Sequence, residues 1–158
     1  MARVERFGAC LIAVLLATVP VGVTRAQSPS PSANPATAAR VLAPGAALDA
    51  AVQAATLVDA GRAGELWDGA SPVAKRAVTR EAFIAGITAA RQRHGTLADR
   101  QWLSVSRQFH DGKQGAPAGH YVSVELLARA SAGRSVRELV SLRIDEDGTA
   151  RLSGYVVE

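Results

Sequence analysis

The spacing of the hydrophobic residues changes part-way along this chain. From Leu48 they recur at intervals of three and four, as in Leu48, Ala51, Val52 and Ala55, which is the period of an amphipathic helix. From about residue 101 they alternate with polar residues, which is the period of a strand with one buried face. The two halves together predict an α+β domain, in which N-terminal helices pack on one face of a four-stranded antiparallel sheet.

Turn and capping residues divide the helical half into segments. One helix is predicted over residues 48–60, and a short second helix carries Leu66 and Trp67. Serine and threonine accept hydrogen bonds at helix starts, proline suits the first helical position, and glycine ends helices. The boundary residues are Gly61 after the first helix, Ser71-Pro72 and Thr79 at two helix starts, and Gly95 after the last helix.

The strand register follows from the turns. The four runs with a period of two cover residues 101–109, 120–128, 136–144 and 149–157. A three-residue loop with Gly148 in the left-handed conformation pairs Ile144 with Ala150 and Leu142 with Leu152, so that apolar residues share a face. The same kind of loop at Ser131-Ala132-Gly133 pairs Val124 with Val140.

This register places one carboxylate on the core face. Glu138 falls opposite Leu126 and near Val156, where an unpaired charge is costly, so it must be paired, protonated or exposed to a pocket. Because His120 has the same strand parity, the candidate ligand-binding residues are Glu138, His120 and Arg100. A purely structural ion pair is the alternative interpretation.

Two tyrosines fall on the opposite strand parity. Tyr121 and Tyr155 are therefore expected on the outer face of the sheet, where exposed aromatic residues are candidates for a partner surface.

Several kinds of site are excluded or unsupported. His110, Asp111 and His120 give only a weak signal for zinc, because they comprise two imidazoles and one loop aspartate where a structural zinc site needs four ligands. The run from Asp145 lacks the glutamate that closes a calcium loop. There is no phosphate-binding loop and no nucleophile elbow. We therefore expect no metal and no cofactor.

The first 26 residues have the pattern of a secretory signal peptide. Arg3 and Arg6 precede the apolar run 7–23, and Thr24-Arg25-Ala26 follows it. The run is shorter than the span of about 20 residues that crosses a membrane, so we expect cleavage after Ala26 and a periplasmic or secreted protein. Membrane contact is expected only through this segment, before cleavage.

Cleavage would leave a chain with one linker and one domain. Residues 27–47, rich in Pro, Ser and Ala, are predicted to be a disordered linker, and residues 48–158 a single α+β domain. The single cysteine, Cys10, would be lost, which excludes thiol catalysis. The net charge would fall from +4 to +2 with the arginines dispersed, which argues against nucleic acid as a partner.

From Leu48 onward the sequence resembles the bacterial domain of unknown function 4019 family. The matching positions are Leu57-Val58-Asp59-Ala60-Gly61, Trp67, Thr79, Phe83, Arg91, Gly95, Arg100, Pro117-Ala118-Gly119-His120-Tyr121-Val122, Glu138, Asp147-Gly148 and Ser153-Gly154-Tyr155. The chain differs at Ala63-Gly64, where the family tends to have an aromatic residue, and at Ala150, where a tryptophan is common.

The resemblance implies an exported bacterial domain with no established activity. The order of helices and strands is also similar to a shortened cone of the nuclear transport factor 2-like kind, whose sheet and helices enclose a pocket. That likeness concerns the fold and carries no function.

Two main functions remain open at the level of sequence, and a third is a stress-related envelope protein that acts only as a scaffold. The first is a non-enzymatic module that binds a small ligand or an envelope protein. The second is a small proton-transfer or hydrolytic enzyme with Glu138 as general base and His120 as its partner, which requires contacts of about 3 Å to the proton transferred.

Overall fold

A computed structural model describes residues 42–113 and 115–158. The described chain has four helices followed by a four-stranded antiparallel sheet, which confirms the α+β prediction. The helices are α1 (Pro44–Asp59), α2 (Ala63–Asp68), α3 (Pro72–Ala77) and α4 (Arg80–His94). The strands are β1 (Leu97–His110), β2 (Gly119–Ala130), β3 (Ser135–Ile144) and β4 (Ala150–Val157).

Helix α1 begins four residues before the predicted start. Pro44 occupies its first turn, where the missing N–H of proline has no helical partner to lose. The buried face of α1 consists mostly of alanine, including Ala47, Ala51 and Ala55. Small side chains on this face let the helix lie close to its neighbours in the core. The predicted linker, residues 27–47, therefore overlaps the start of α1, and its residues up to 41 lie outside the described part.

The predicted caps are present at α3 and α4. The Ser71 hydroxyl accepts a hydrogen bond from the Val73 N–H at 3.2 Å, and the Thr79 hydroxyl accepts one from the Ala82 N–H at 3.2 Å. Gly95 ends α4 with a φ of 72°, a backbone conformation that glycine adopts without strain.

The sheet has the strand order β1-β2-β3-β4 with the predicted register near both turns. Leu126 lies opposite Glu138 and Val124 opposite Val140. Leu142 lies opposite Leu152. The turn glycines Gly133 and Gly148 both have left-handed φ values, 78° and 80°.

A bulge in the β3–β4 pair changes the second half of β4. Ser141 pairs with Gly154 while Leu142 pairs with Leu152, which leaves Ser153 as an extra residue. Beyond such a bulge the side chains exchange faces. The prediction that Val156 lies on the core face is therefore wrong, since Val156 is exposed and Val157 is buried opposite Glu138.

Helices α1, α2 and α4 cover one face of the sheet, and the main core lies between these helices and the sheet. Within helices and strands, the buried residues of this core come from α1, α2, α4, β2, β3 and β4. Among them are Ala51, Ile87, Val124, Leu126 and Val140. A smaller cluster surrounds Ala90, Leu97 and Ala128 at the other end of the sheet. The likeness to a nuclear transport factor 2-like cone stays a prediction.

Strand β1 is far more exposed than the sequence pattern suggests. The period of two in the run 101–109 predicts a buried face that contains Leu103 and Phe109, but both are exposed, as is Trp102. Two irregularities, between Ala98 and Gln101 and between Trp102 and Ser104, interrupt its pairing with β2. Among the described residues, no helix is both long and apolar enough to cross a membrane.

Candidate functional site

Five polar side chains meet between the sheet and the helices. Glu138 comes from β3, Tyr155 from β4, Arg100 from β1, Asp59 from the end of α1 and Arg91 from the last turn of α4. We call these five residues the inner charged cluster. Helices α1 and α4 and strands β1, β3 and β4 each contribute one residue to it. Strand β2 and the two short helices contribute none.

Local backbone geometry brings Arg100 to this cluster. It lies in the bulge between Ala98 and Gln101, beside Asp99, which has a φ of 51°. A positive φ is uncommon outside glycine, and bulges commonly redirect a side chain near a functional site.

Glu138 is fully buried, and its carboxylate is held from several sides. Its exposed fraction is 0%. Arg100 Nε donates to Oε2 at 2.5 Å and Arg100 Nη2 donates to Oε1 at 3.2 Å, a two-point contact of the kind that favours arginine. The Tyr155 hydroxyl also donates to Oε1, and Arg91 Nη2 lies 3.9 Å from the same oxygen.

Asp59 joins the two arginines at the outer end of the cluster. Arg100 Nη1 donates to Asp59 Oδ2 at 2.7 Å, and Arg100 Nη2 donates to Oδ1 at 3.0 Å. Arg91 Nη2 also donates to Oδ1. The Asp59 side chain is 32% exposed. Two cations and two anions therefore balance, and Asp59 is the member most open to solvent.

The surroundings shift the pKa values of Tyr155 and Arg100. Burial raises the pKa of Tyr155, and the hydrogen bond to Glu138 raises it further. Burial by itself lowers the pKa of Arg100, but the hydrogen bonds to Glu138 and Asp59 outweigh it and hold the pKa above its ordinary value. Tyr155 is therefore a neutral donor and Arg100 a permanent cation.

A cavity of about 390 Å³ adjoins the open end of the cluster. It lies between the end of α1, the start of α2 and the exposed side of α4. Its walls are largely apolar, with Asp59 and Arg91 as its charged residues. Within the described residues, the buried Nε of Arg91 has no hydrogen-bond partner. The lining residues are Val58, Asp59, Gly61, Ala63, Ile84, Ile87, Thr88, Arg91, Gly95 and Thr96.

Of the three predicted ligand-binding residues, the structure brings two together. Arg100 contacts Glu138, as described above. His120 is exposed and lies opposite Ile144, six positions along β3 from Glu138, a distance of about 20 Å along the strand. Strand parity predicts that His120 and Glu138 lie on the same face of the sheet, but it does not determine how far apart they lie along the strands. His120 contacts Phe109 instead, with ring centroids 5.0 Å apart.

The two tyrosines predicted for the outer face lie on different faces. Tyr121 lines a cavity of about 410 Å³ between α3 and the outer sheet face, and its hydroxyl donates to the Pro117 carbonyl at 2.9 Å. The placement of Tyr155 on the outer face is wrong. The β4 bulge sets Tyr155 opposite Val140 and turns its ring toward both core clusters.

Asp59 and Arg91 were not among the predicted site residues. Arg91 stands four residues after Ile87 and seven after Ile84, so it shares their helical face. A charge on an apolar helical face was the available signal for Arg91. Asp59 gives a weaker signal, because it follows Val58 at the end of α1.

A second buried ion cluster lies at the β3–β4 turn. Asp145 accepts hydrogen bonds from the Ser71 hydroxyl at 2.7 Å, Arg143 Nη1 at 2.6 Å and Arg151 Nη1 at 3.0 Å. The cluster ties the turn to the start of α3 and offers no group of metal ligands. Throughout residues 42–113 and 115–158, no three His, Cys, Asp or Glu residues gather in a metal-binding arrangement.

The sequence of the domain matches one known protein family. A family model described as protein of unknown function DUF4019 matches residues 50–155. The chain belongs to this family. The match spans every member of the inner charged cluster and ends at Tyr155. Neither the curated proteins nor the solved structures include a match to the chain.

Proposed function

We propose that this DUF4019 protein is a non-enzymatic binding module that takes a small, mainly apolar ligand carrying a hydrogen-bond acceptor. The ligand would occupy the cavity between α1 and α4. The observation that carries this proposal is the cavity itself, whose largely apolar walls meet the partly exposed side chains of Asp59 and Arg91 at one end. The guanidinium of an arginine has only hydrogen-bond donors, so the ligand is expected to present an acceptor to Arg91.

The dimensions and lining of the cavity support this ligand class. Its volume of about 390 Å³ falls in the range of small-molecule sites, which combine apolar walls with few polar groups. Ile84 and Ile87 would contact the apolar part of the ligand, and Thr88 and Thr96 offer further hydroxyl groups. The balanced charge of the cluster favours a polar group over a strongly charged one.

Catalysis by Glu138 has less support. Its carboxylate is fully buried and is held by Arg100 and Tyr155, whereas a general base must reach a substrate proton directly or through one water. His120 lies at the far end of the β2–β3 pair. The exposed end of the cluster, at Asp59 and Arg91, therefore replaces Glu138 as the contact point of the proposed site.

An NMR titration tests the binding proposal. The probes are a library of small apolar ketones, amides and carboxylates added to the ¹⁵N-labelled protein. At least one probe class is expected to shift the amide signals of residues around the cavity, above all Thr88, Arg91 and Thr96. Thr88→Trp is expected to abolish these shifts, because a large ring at the rim fills the cavity.

Ala85→Trp is the matched control. Ala85 is exposed on the same helix but does not line the cavity, so this variant is expected to keep the shifts. A library without any cavity-localised shifts would contradict the proposal, as would shifts that survive Thr88→Trp unchanged.

We also propose that the protein acts outside the cytoplasm, in the periplasm or beyond the cell. The support is the pattern of basic residues, apolar run and small-residue site in residues 1–26. When the full chain is expressed in a bacterial host, the exported product is expected to begin at Gln27. Intact mass and N-terminal sequencing measure this, and a cytoplasmic product that retains Met1–Ala26 would contradict it.

A further inference from the structure

Within the described residues, the outer edge of β1 is open over its regular part. From Ser104 to His110 the strand pairs with β2 without interruption. Along this stretch of the described structure, no backbone hydrogen bond joins the strand to anything other than β2. Trp102 and Phe109 are 62% and 65% exposed on the same strand. A long edge with exposed apolar side chains is a template for pairing with another strand.

The opposite edge of the sheet is protected. The Ser71 N–H donates to the Leu152 carbonyl of β4 at 2.8 Å, so the start of α3 covers that edge. Natural sheets also protect edges with lysine, proline or bulges. The stretch from Ser104 to His110 has no bulge, no lysine and no proline, and Arg107 is its single permanent charge.

We propose that β1 pairs with β1 of a second copy of this chain, in an antiparallel two-fold arrangement centred on Ser106. The two sheets would then form one continuous eight-stranded sheet. A two-fold interface uses the same surface on both copies. Each residue of β1 must therefore be compatible with the β1 residue that lies opposite it on the antiparallel second copy. This requirement tests each possible register.

The register centred on Ser106 meets this requirement. Within the regular stretch, Ser104 of each copy lies opposite Gln108 of the other and Val105 opposite Arg107. At its border, Leu103, which lies inside the irregularity between Trp102 and Ser104, lies opposite Phe109. Apolar side chains therefore meet each other, and the aliphatic part of Arg107 packs on valine. Arg107 is held in place by its hydrogen bond to the Leu42 carbonyl at 2.8 Å.

The neighbouring registers are poorer. A centre at Val105 sets Leu103 opposite Arg107 and Phe109 opposite Gln101. A centre at Arg107 sets the two arginines directly opposite each other, and like charges at opposed positions destabilise a strand pair. Self-complementarity at one register is what favours a second copy over an unrelated peptide.

Disulfide trapping tests the register. The full chain is expressed with Cys10→Ala, so that introduced cysteines are the only thiols, and is purified as the host processes it. Ser106→Cys is expected to form a disulfide-linked dimer on mild oxidation, because opposed residues have Cα atoms about 5 Å apart, within disulfide range. Gln108→Cys is the register control, since the two Gln108 positions are about 13 Å apart along the strand.

Sedimentation tests the interface itself. The protein without introduced cysteines is expected to be a dimer at micromolar concentrations. Phe109→Lys is expected to be a folded monomer, because the exposed side chain contributes little to the fold but would place a charge against Leu103. Val156→Lys is the matched control. Val156, like Phe109, is an exposed apolar residue on an edge strand, with an exposed fraction of 45%. It lies on β4 and not on β1, so this variant is expected to remain dimeric.

Three results would overturn the proposal. One is a wild-type protein that is monomeric at every concentration reached. In that case a strand from a different protein would remain as the partner for this edge. Another is a dimer that persists in Phe109→Lys. The third is cross-linking of Gln108→Cys as fast as that of Ser106→Cys.

Discussion

At the scale of single residues, Glu138 shows how a charge is kept inside a core. Removing a carboxylate from water costs several kcal/mol, and only close partners offset this cost. Arg100 provides two hydrogen bonds and Tyr155 a third. Arg100 is itself held by Asp59, so the loss of one member leaves others buried without a partner.

Glu138→Ala is therefore expected to destabilise the domain strongly. The free energy of unfolding should fall by about 3–5 kcal/mol, because Arg100 remains buried with a single anionic partner. Urea unfolding followed by circular dichroism measures the change. The control is Glu65→Ala, which breaks an exposed pair with Arg62 and should leave the free energy of unfolding nearly unchanged. Equal losses in the two variants would contradict a core role for Glu138.

At the scale of elements, the β3–β4 turn is fastened to α3 through Asp145. Ser71 both caps α3 through its hydroxyl and donates that hydroxyl to Asp145, while its N–H bonds to β4. Burial raises the pKa of Asp145, but the hydrogen bonds from Ser71, Arg143 and Arg151 outweigh burial and lower the pKa below its ordinary value. The carboxylate form is thus the one that stabilises this junction.

This lowered pKa predicts a loss of stability in acid. A carboxyl group with a lower pKa in the folded state contributes stability above its unfolded value of about 3.9, and loses it as the pH falls through the folded value. Asp145→Asn should lower the stability at neutral pH and make the decline below about pH 4 less steep. Unfolding curves at a series of pH values measure this.

Asp99→Asn is the control for that experiment. Asp99 forms an exposed pair with Arg129 at 3.4 Å, so its replacement should leave both the neutral stability and the acid decline nearly unchanged. An Asp145→Asn protein with the same pH profile as the wild type would contradict the assigned role of the turn.

At the scale of the whole molecule, the sheet divides into a covered part and an open part. Helices cover the inner face over β2, β3 and β4, whose inward residues are buried in alternation. Helix α1 also contacts β1, where Val105 packs against the core, but most side chains of β1 are exposed. The charged cluster and its cavity lie at one end of the covered part, and the open edge lies on β1, so the proposed ligand site and the proposed dimer contact use separate surfaces.

The sequence by itself determined the order of elements, the capping residues, the two turns and the inward position of Glu138. These depend on short-range rules: hydrophobic period, cap chemistry and the backbone freedom of Gly133 and Gly148. The pairing of Leu126 with Glu138 followed because strand parity is fixed within a few residues of a turn.

Only the tertiary structure decided which residues meet across elements. The bulge in β4 turned Tyr155 inward, and the bulge at Asp99 directed Arg100 to Glu138. Asp59 and Arg91 are 32 residues apart in sequence and become neighbours because α2 packs against both α1 and α4. Bulges and helix packing respond to the whole core rather than to local sequence, which is why the cluster, its cavity and the exposure of β1 appear only once the chain has folded.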